Sequence, residues 1–293
     1  MKKRNLLILT CGALLAGATL TACSSNQSKV GIGIDQAKTV GFMQLANENK
    51  ERIWFQVEDT NDDGEISKDD RIQKIYVIKN SKVDTYHIYD LNLEYDLNLA
   101  YIKDKKDSEI IKFAKEYDEK YFDEQKKEII DNANASIEAN KGEIEYQKSL
   151  KDSEFEVERY AAEQEIQWLE NDIQEKNQVL EAAKELNYED ALKLYSTYPL
   201  EAKVETDSSG NNVASEEITF LSYELIQEDY VGPYTIASNE ITSDLDAPIF
   251  GEIYDKTYKG FRYINDDFLI TSSLDKTVNL GLDTLDTKNV TEE

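Results

Sequence analysis

Six oxygen-bearing residues, Asp59, Asn61, Asp63, Glu65, Ser67 and Asp70, stand at the first, third, fifth, seventh, ninth and twelfth places of a twelve-residue stretch, with Gly64 at the sixth place and Ile66 at the eighth. Calcium takes six to eight oxygen ligands, and the four carboxylate, amide and hydroxyl side chains at the odd places, the Glu65 carbonyl and Asp70 could supply them, Ser67 through a water. Gly64 would make the sharp turn such a loop needs. Calcium is the one candidate cofactor, with a dissociation constant expected at about 0.1 to 1 mM. The same residues also read as an acidic β-turn between two strands, with Asn61 to Gly64 supplying the turn and the carboxylates solvated.

Little other catalytic equipment is present. The chain has one histidine and two cysteines. His87, between Tyr86 and Ile88 in an expected strand, reads as a ligand or base or, more simply, as a packed or surface residue. A Ser-His-Asp hydrolase would need a nucleophile turn, and no Gly-x-Ser-x-Gly occurs. Hydrolysis of glycans by two carboxylates is compatible with almost any acidic chain. Tyr254, Tyr258, Tyr263 and Phe261 offer either a sugar-stacking surface or ordinary strand packing.

The N-terminus carries an address. Lys2, Lys3 and Arg4 precede an uncharged run from Leu6 to Ala22, the form of a secretory signal. Leu20-Thr21-Ala22-Cys23 resembles the lipobox of bacterial lipoproteins, which implies cleavage before Cys23 and a diacylglyceryl group on its sulfur. Cys11 would leave with the signal, so the exported chain would hold no thiol for a disulfide or a nucleophile. The expected location is the cell membrane, lipid-anchored on the extracytoplasmic face. Residues 23–36 form a short polar linker reaching no more than roughly 45 Å.

Charge narrows the partners. With 33 basic and 60 acidic residues the 293-residue chain carries a net charge of −27, and loss of the signal makes it −30. Phosphate-driven binding to nucleic acid needs the opposite sign. An acidic body also repels anionic headgroups, so contact with the bilayer is expected through the lipid anchor alone.

The elements that would position these residues follow from periodicity. Arg52 to Val57, Lys74 to Lys79 and Lys82 to Leu91 read as strands, the last two joined through Asn80-Ser81 as a hairpin. A short helix is expected from Asp35 to Asn47. Between Gly64 and Gly210 the only glycine is Gly142 and there is one proline, Pro199, which favours long helices. Apolar residues at Ile110, Phe113 or Ala114, Tyr117, Tyr121, Ile129, Ala133, Ile137 and Ile144 form one stripe, and Ala162, Ile166, Leu169, Ile173, Leu180 and Ala183 a second, near-heptad one that Lys176 interrupts. Helices are therefore expected over about 108–150, 154–186 and 188–196, with a capping box at Ser153-Glu154-Phe155-Glu156 and a cap at Asn187. End to end they would span about 135 Å, so a folded-back antiparallel hairpin resembling a coiled coil is expected. After Leu200, strands are expected at 202–206, 213–221, 234–237, 249–254, 260–264, 268–272 and 278–285, a compact β sandwich or barrel-like module.

The fold class is thus α+β. Its order is a lipoprotein signal (1–22), a lipid-anchored linker (23–36), a small N-terminal β unit (37–106), a helical hairpin (107–198) and a β-rich C-terminal module (199–293). The calcium-type loop resembles that of an EF-hand but ends in Asp70 instead of a longer Glu and is flanked by strand-like residues, where an EF-hand has helices. The lipobox, Arg52-Ile53-Trp54-Phe55, the segment Ile75 to Val83 and Ile253 to Tyr258 resemble features of uncharacterised lipoproteins of Gram-positive bacteria. That resemblance implies location and architecture. The first reading is a non-catalytic binding protein of the cell envelope, presenting an acidic surface to an envelope protein or wall component. The alternative is an envelope hydrolase with paired carboxylates acting on a glycan. No two-lobed solute-binding pattern of alternating strands and helices is seen.

Overall fold

The computed structural model describes residues 39–88, 97–195, 198–210, 212–227, 232–263 and 267–293. The signal, Cys23 and the linker lie outside the described residues. The fold is α+β, with strands near both ends of the chain and long helices between them.

The first elements are β1 (Thr39–Val40), α1 (Phe42–Ala46), β2 (Arg52–Glu58), β3 (Arg71–Lys79) and β4 (Lys82–His87). Of the helix expected over 35–47, residues 35–38 lie outside the described residues, and within the rest β1 is extended and α1 starts only after Gly41. The β3–β4 hairpin turns at Asn80 and Ser81, with φ of 52° and 60°. Left-handed values at both central residues define the tight turn whose twist suits two paired strands. The turn fixes the register, so Lys74 faces His87 across the hairpin.

Helices α2 (Leu99–Ile102), α3 (Asp107–Leu150), α4 (Glu156–Glu185) and α5 (Tyr188–Tyr195) follow. At the start of α3 the Glu109 carboxylate accepts the Lys106 N–H at 2.9 Å. The expected box before α4 has another form. Phe155 occupies the cap position, and Ser153 Oγ accepts the Phe155 N–H and donates to Glu158. Asn187 Oδ1 accepts the Glu189 N–H at 2.8 Å, as the sequence predicts for the start of α5.

α3 and α4 run antiparallel. Ile144 meets Ile166 and Leu169 at one end, whereas Ile129 and Ala133 share a cluster with Val179 and Ala183 at the other. Asn140 donates to Asp172 at 2.6 Å between them, and Lys126 reaches the Leu186 carbonyl at 2.8 Å. Lys176, the break in the seam, lies 3.9 Å from Asp172.

The remaining strands are β5 (Glu201–Thr206), β6 (Val213–Gln227), β7 (Tyr234–Leu245), β8 (Pro248–Ile253), β9 (Lys256–Arg262), β10 (Phe268–Thr271), β11 (Asn279–Leu280) and β12 (Val290–Glu292). β6 and β7 are longer than expected, and the strand expected over 278–285 shrinks to two residues. The six-stranded sheet has the order β4-β3-β2-β10-β9-β8 and the four-stranded sheet β12-β5-β6-β7, while β1 pairs with β11. The N-terminal and C-terminal strand regions thus share one sheet through the antiparallel pairing of β2 with β10.

Both faces of β2 are covered, so Ile53, Trp54 and Phe55 are apolar in succession, and the buried Gln56 after them is satisfied by Asp267 and Tyr76. Trp54 points to a core shared with α1 and the four-stranded sheet, where Phe42 meets it edge to face at 4.9 Å. Ile53, Phe55 and Val57 point the other way, to a core shared with Leu99, Ile102, Ile110 and Ala114. The base of the helical hairpin joins α5 and β6 in a third cluster, through Phe122, Ala183, Ala191 and Tyr223.

Candidate functional site

The loop from Asp59 to Asp70 connects β2 to β3. Asp59 Oδ2 accepts the Gly64 N–H at 2.6 Å and Asp63 Oδ1 accepts the Glu65 N–H at 2.9 Å. Asn61 Nδ2 donates to Ser67 Oγ at 3.3 Å, and Asp70 accepts both the Ser67 N–H at 2.7 Å and its hydroxyl at 2.9 Å. Gly64 has φ of 74°, the left-handed conformation a glycine takes without strain. Arg262 donates to the Gly64 carbonyl at 3.0 Å. Burial pushes the Asp70 carboxyl above its ordinary pKa, with Asp59 adding to the rise and the Ser67 donors opposing it. Among the described residues no group of three or more His, Cys, Asp and Glu side chains is placed to hold a metal ion. To hold calcium, these oxygens would have to turn from the loop's own donors to a common centre.

The four aromatics considered for sugar stacking are divided. Tyr258, Phe261 and Tyr263 are buried, and only Tyr254 is exposed, with the Lys103 ammonium 4.4 Å from its ring centroid.

His87 belongs to a larger arrangement. Asp118, buried on α3, accepts the His87 backbone N–H at 2.9 Å, contacts its Nδ1 at 2.8 Å, and accepts the Tyr188 and Tyr223 hydroxyls at 2.8 and 3.2 Å. One carboxyl group thereby ties together β4, α3, α5 and β6. The His87 ring stacks on Tyr121, with centroids 4.9 Å apart and planes at 17°. Its Nε2 lies 3.4 Å from Ser222 Oγ. The three residue types of an acyl-transfer triad therefore meet, but Ser222 is 1% exposed, so its hydroxyl is buried inside the hub in this structure. The sequence gives one sign of this hub. Asp118 occupies a core position between Ala114 and Phe122 on the stripe of α3, and an acid there must find donors. Ser222, Tyr188 and Tyr223 carry no such signal.

A pair of buried acids, Glu216 and Asp283, was not legible in the sequence. Asp283 is buried and accepts the Met43 and Gln44 N–H groups, at 2.5 and 3.1 Å, at the start of α1. Gly41 permits this approach, because a Cβ there would lie 2.3 Å from the Asp283 carboxylate. Glu216 on β6 accepts the Asp283 N–H at 2.7 Å. Burial, and then the neighbouring Asp283 charge, push the Glu216 pKa up to about 8. Burial also raises Asp283, opposed by the Met43 amide, the Glu216 side chain, the Gln44 amide and Thr287. Both side chains are sealed from solvent. They are close acids, but no glycan can enter between them.

Among the described residues, α4 carries a cluster of exposed apolar side chains. Val157, Tyr160 and Trp168 lie within one side of the helix and are 80%, 65% and 60% exposed, with Phe155 exposed beside them at the cap. Ala162, Ile166 and Leu169, on the opposite side, are buried. Val179 lies about 40° around the helix from Val157, at 100° per residue, yet is only 3% exposed, within the cluster that Tyr234 and Ile236 of β7 join. The body covers this flank of α4 near its C-terminal end and leaves it bare toward the turn. Glu154, Glu156, Glu158, Glu163 and Glu165 are interleaved with the bare residues.

Comparison with protein-family models, with curated proteins and with solved structures finds no match. No helix among the described residues is long and apolar enough to cross a membrane.

Proposed function

We propose that the protein is a non-catalytic binding lipoprotein of the cell envelope, held on the extracytoplasmic face by Cys23, whose helical hairpin docks a protein partner. The observation that carries the docking is the bare stripe of Val157, Tyr160 and Trp168. Clustered exposed aromatics on a charged helix mark interaction surfaces, and Trp and Tyr are enriched among residues that dominate binding energy. The occupant is a basic, amphipathic protein surface. The glutamates around the stripe complement Lys and Arg and repel anionic lipid, and a second copy of this chain would bring the same acids. The anchoring half of the proposal rests on the basic start, apolar run and Leu20-Thr21-Ala22-Cys23.

Two measurements test it. Mass spectrometry of native material should find residues 1–22 removed and Cys23 acylated; a free Cys23 or an intact leader ends the anchoring proposal. A photo-crosslinking side chain at Tyr160 or Trp168 of the full chain in cells should capture a basic partner that one at Glu138 does not. Equal capture at all three positions, or none, ends the docking proposal.

A further inference from the structure

A pocket of about 370 Å³ opens between β3, β4, α3, β6 and β7. This volume lies at the lower end of the range for small-molecule sites. One wall is His87, Tyr121 and Tyr223, fixed by the Asp118 hub and by ring stacking. The β3–β4 register sets Lys74 beside His87, and the β6–β7 register sets Asn239 beside Ser222, two residues before Glu224. Lys74, Gln125, Glu224 and Asn239 all line the cavity. Their side chains make no hydrogen bond or ion pair among the described residues. Lys74 and Glu224 are of opposite sign and line the same cavity, yet they do not reach each other.

The geometry points to a binding site for a small zwitterion of the amino-acid type, its carboxylate on Lys74, its ammonium on Glu224, and its polar atoms between the Gln125 and Asn239 amides. A carboxylate there offsets the desolvation that lowers the Lys74 pKa; Asp267, the other charge Lys74 feels, already accepts the Gln56 amide at 2.7 Å. Charge-assisted contacts at both ends give such a ligand orientation as well as affinity. The site is separate from the hairpin stripe and does not depend on a partner there.

Calorimetry on the full chain in mild detergent tests the site, with glycine, L-leucine and L-glutamine as probes and acetate and methylammonium as single-charge controls. At least one amino acid should give saturable heat, with each control binding at least about tenfold more weakly, the loss of one charged contact. Lys74→Met and Glu224→Gln should each weaken binding by a similar factor while keeping the parental melting temperature. Asn239→Ala, on a surface strand, is the further variant if Lys74→Met fails to fold. No heat from any amino acid, acetate binding as tightly as the amino acids, or binding indifferent to these substitutions would overturn the proposal.

Discussion

At its base the α3–α4 hairpin is built into the body: Phe122, Ala183, Ala191 and Tyr223 close on one another and Asp118 gathers donors from three other elements. Toward the turn the two helices hold each other through Ile144, Ile166 and Leu169, with Ile173 beside them. The same helical periodicity runs through both halves, but it meets different surroundings. Where the sheets cover the outer flank of α4, apolar residues contribute to stability. Where the sheets end, residues of the same kind are left for something else. Exposed apolar side chains that add nothing to the fold are the ones free to serve binding, and thinly held regions open more easily than cores.

The largest effect is expected at the base. Asp118→Ala leaves the His87 ring and the Tyr188 and Tyr223 hydroxyls without their acceptor, and urea denaturation should show a loss of about 3 to 5 kcal/mol. A loss below about 1 kcal/mol would mean that the base does not hold the stability assigned to it. Leu169→Ala should cost about 2 to 3 kcal/mol, confined to the distal half. Hydrogen exchange would show lost protection around 136–173 with the sheets unchanged, and a drop in global stability would erase the contrast.

The pH response should divide the two regions again. Glu216 keeps its proton in the folded state up to about pH 8, whereas an unfolded Glu releases it near 4.5. Its contribution is complete below the unfolded value and is lost as pH rises through about 8. Melting temperature should therefore fall over that window. Glu216→Gln, which keeps a neutral group against Asp283, should be more stable than the parent above pH 8 by about 1 to 2 kcal/mol and match it near pH 5. Distal-half protection should not follow this change.

Calcium at about 5 mM should raise stability by about 1 to 2 kcal/mol for a dissociation constant of about 0.1 to 1 mM, and Asp59→Ala with Asp63→Ala should abolish the rise. No gain, or one that survives the two substitutions, would leave the β2–β3 connection an acidic turn. Smallest of all, Tyr160→Ser with Trp168→Ser should alter stability by no more than about 0.5 kcal/mol. A marked loss would show that the stripe belongs to the fold after all.

Elements with a strong local signal were legible. The hairpin turn at Asn80-Ser81, the limits of the three helices and the Asn187 cap follow from turn chemistry and periodicity. The helix expected over 35–47 is present only as Phe42–Ala46 among the described residues, because a residue 240 positions away decides its start: Asp283 caps α1 at Met43, and Thr39 and Val40 before it are drawn into β1. The strand expected over 278–285 failed for the same reason from the other side, since Asp283 turns inward. Of the candidate site, His87 was visible as the lone histidine, but Lys74, Glu224 and Asn239 were ordinary strand residues until two registers brought them to one cavity.

By itself the sequence determined the α+β class, the folded-back helical pair and the acidity, because each is written in neighbouring residues whose local physics does not depend on the rest of the chain. The tertiary structure alone decided that strands from both ends share one sheet, that Asp118 and Asp283 are buried acids with work to do, and which part of the α4 flank stays bare. Those outcomes depend on contacts between residues far apart in the chain. No local propensity encodes such contacts; they form only when burial of apolar surface closes the whole molecule.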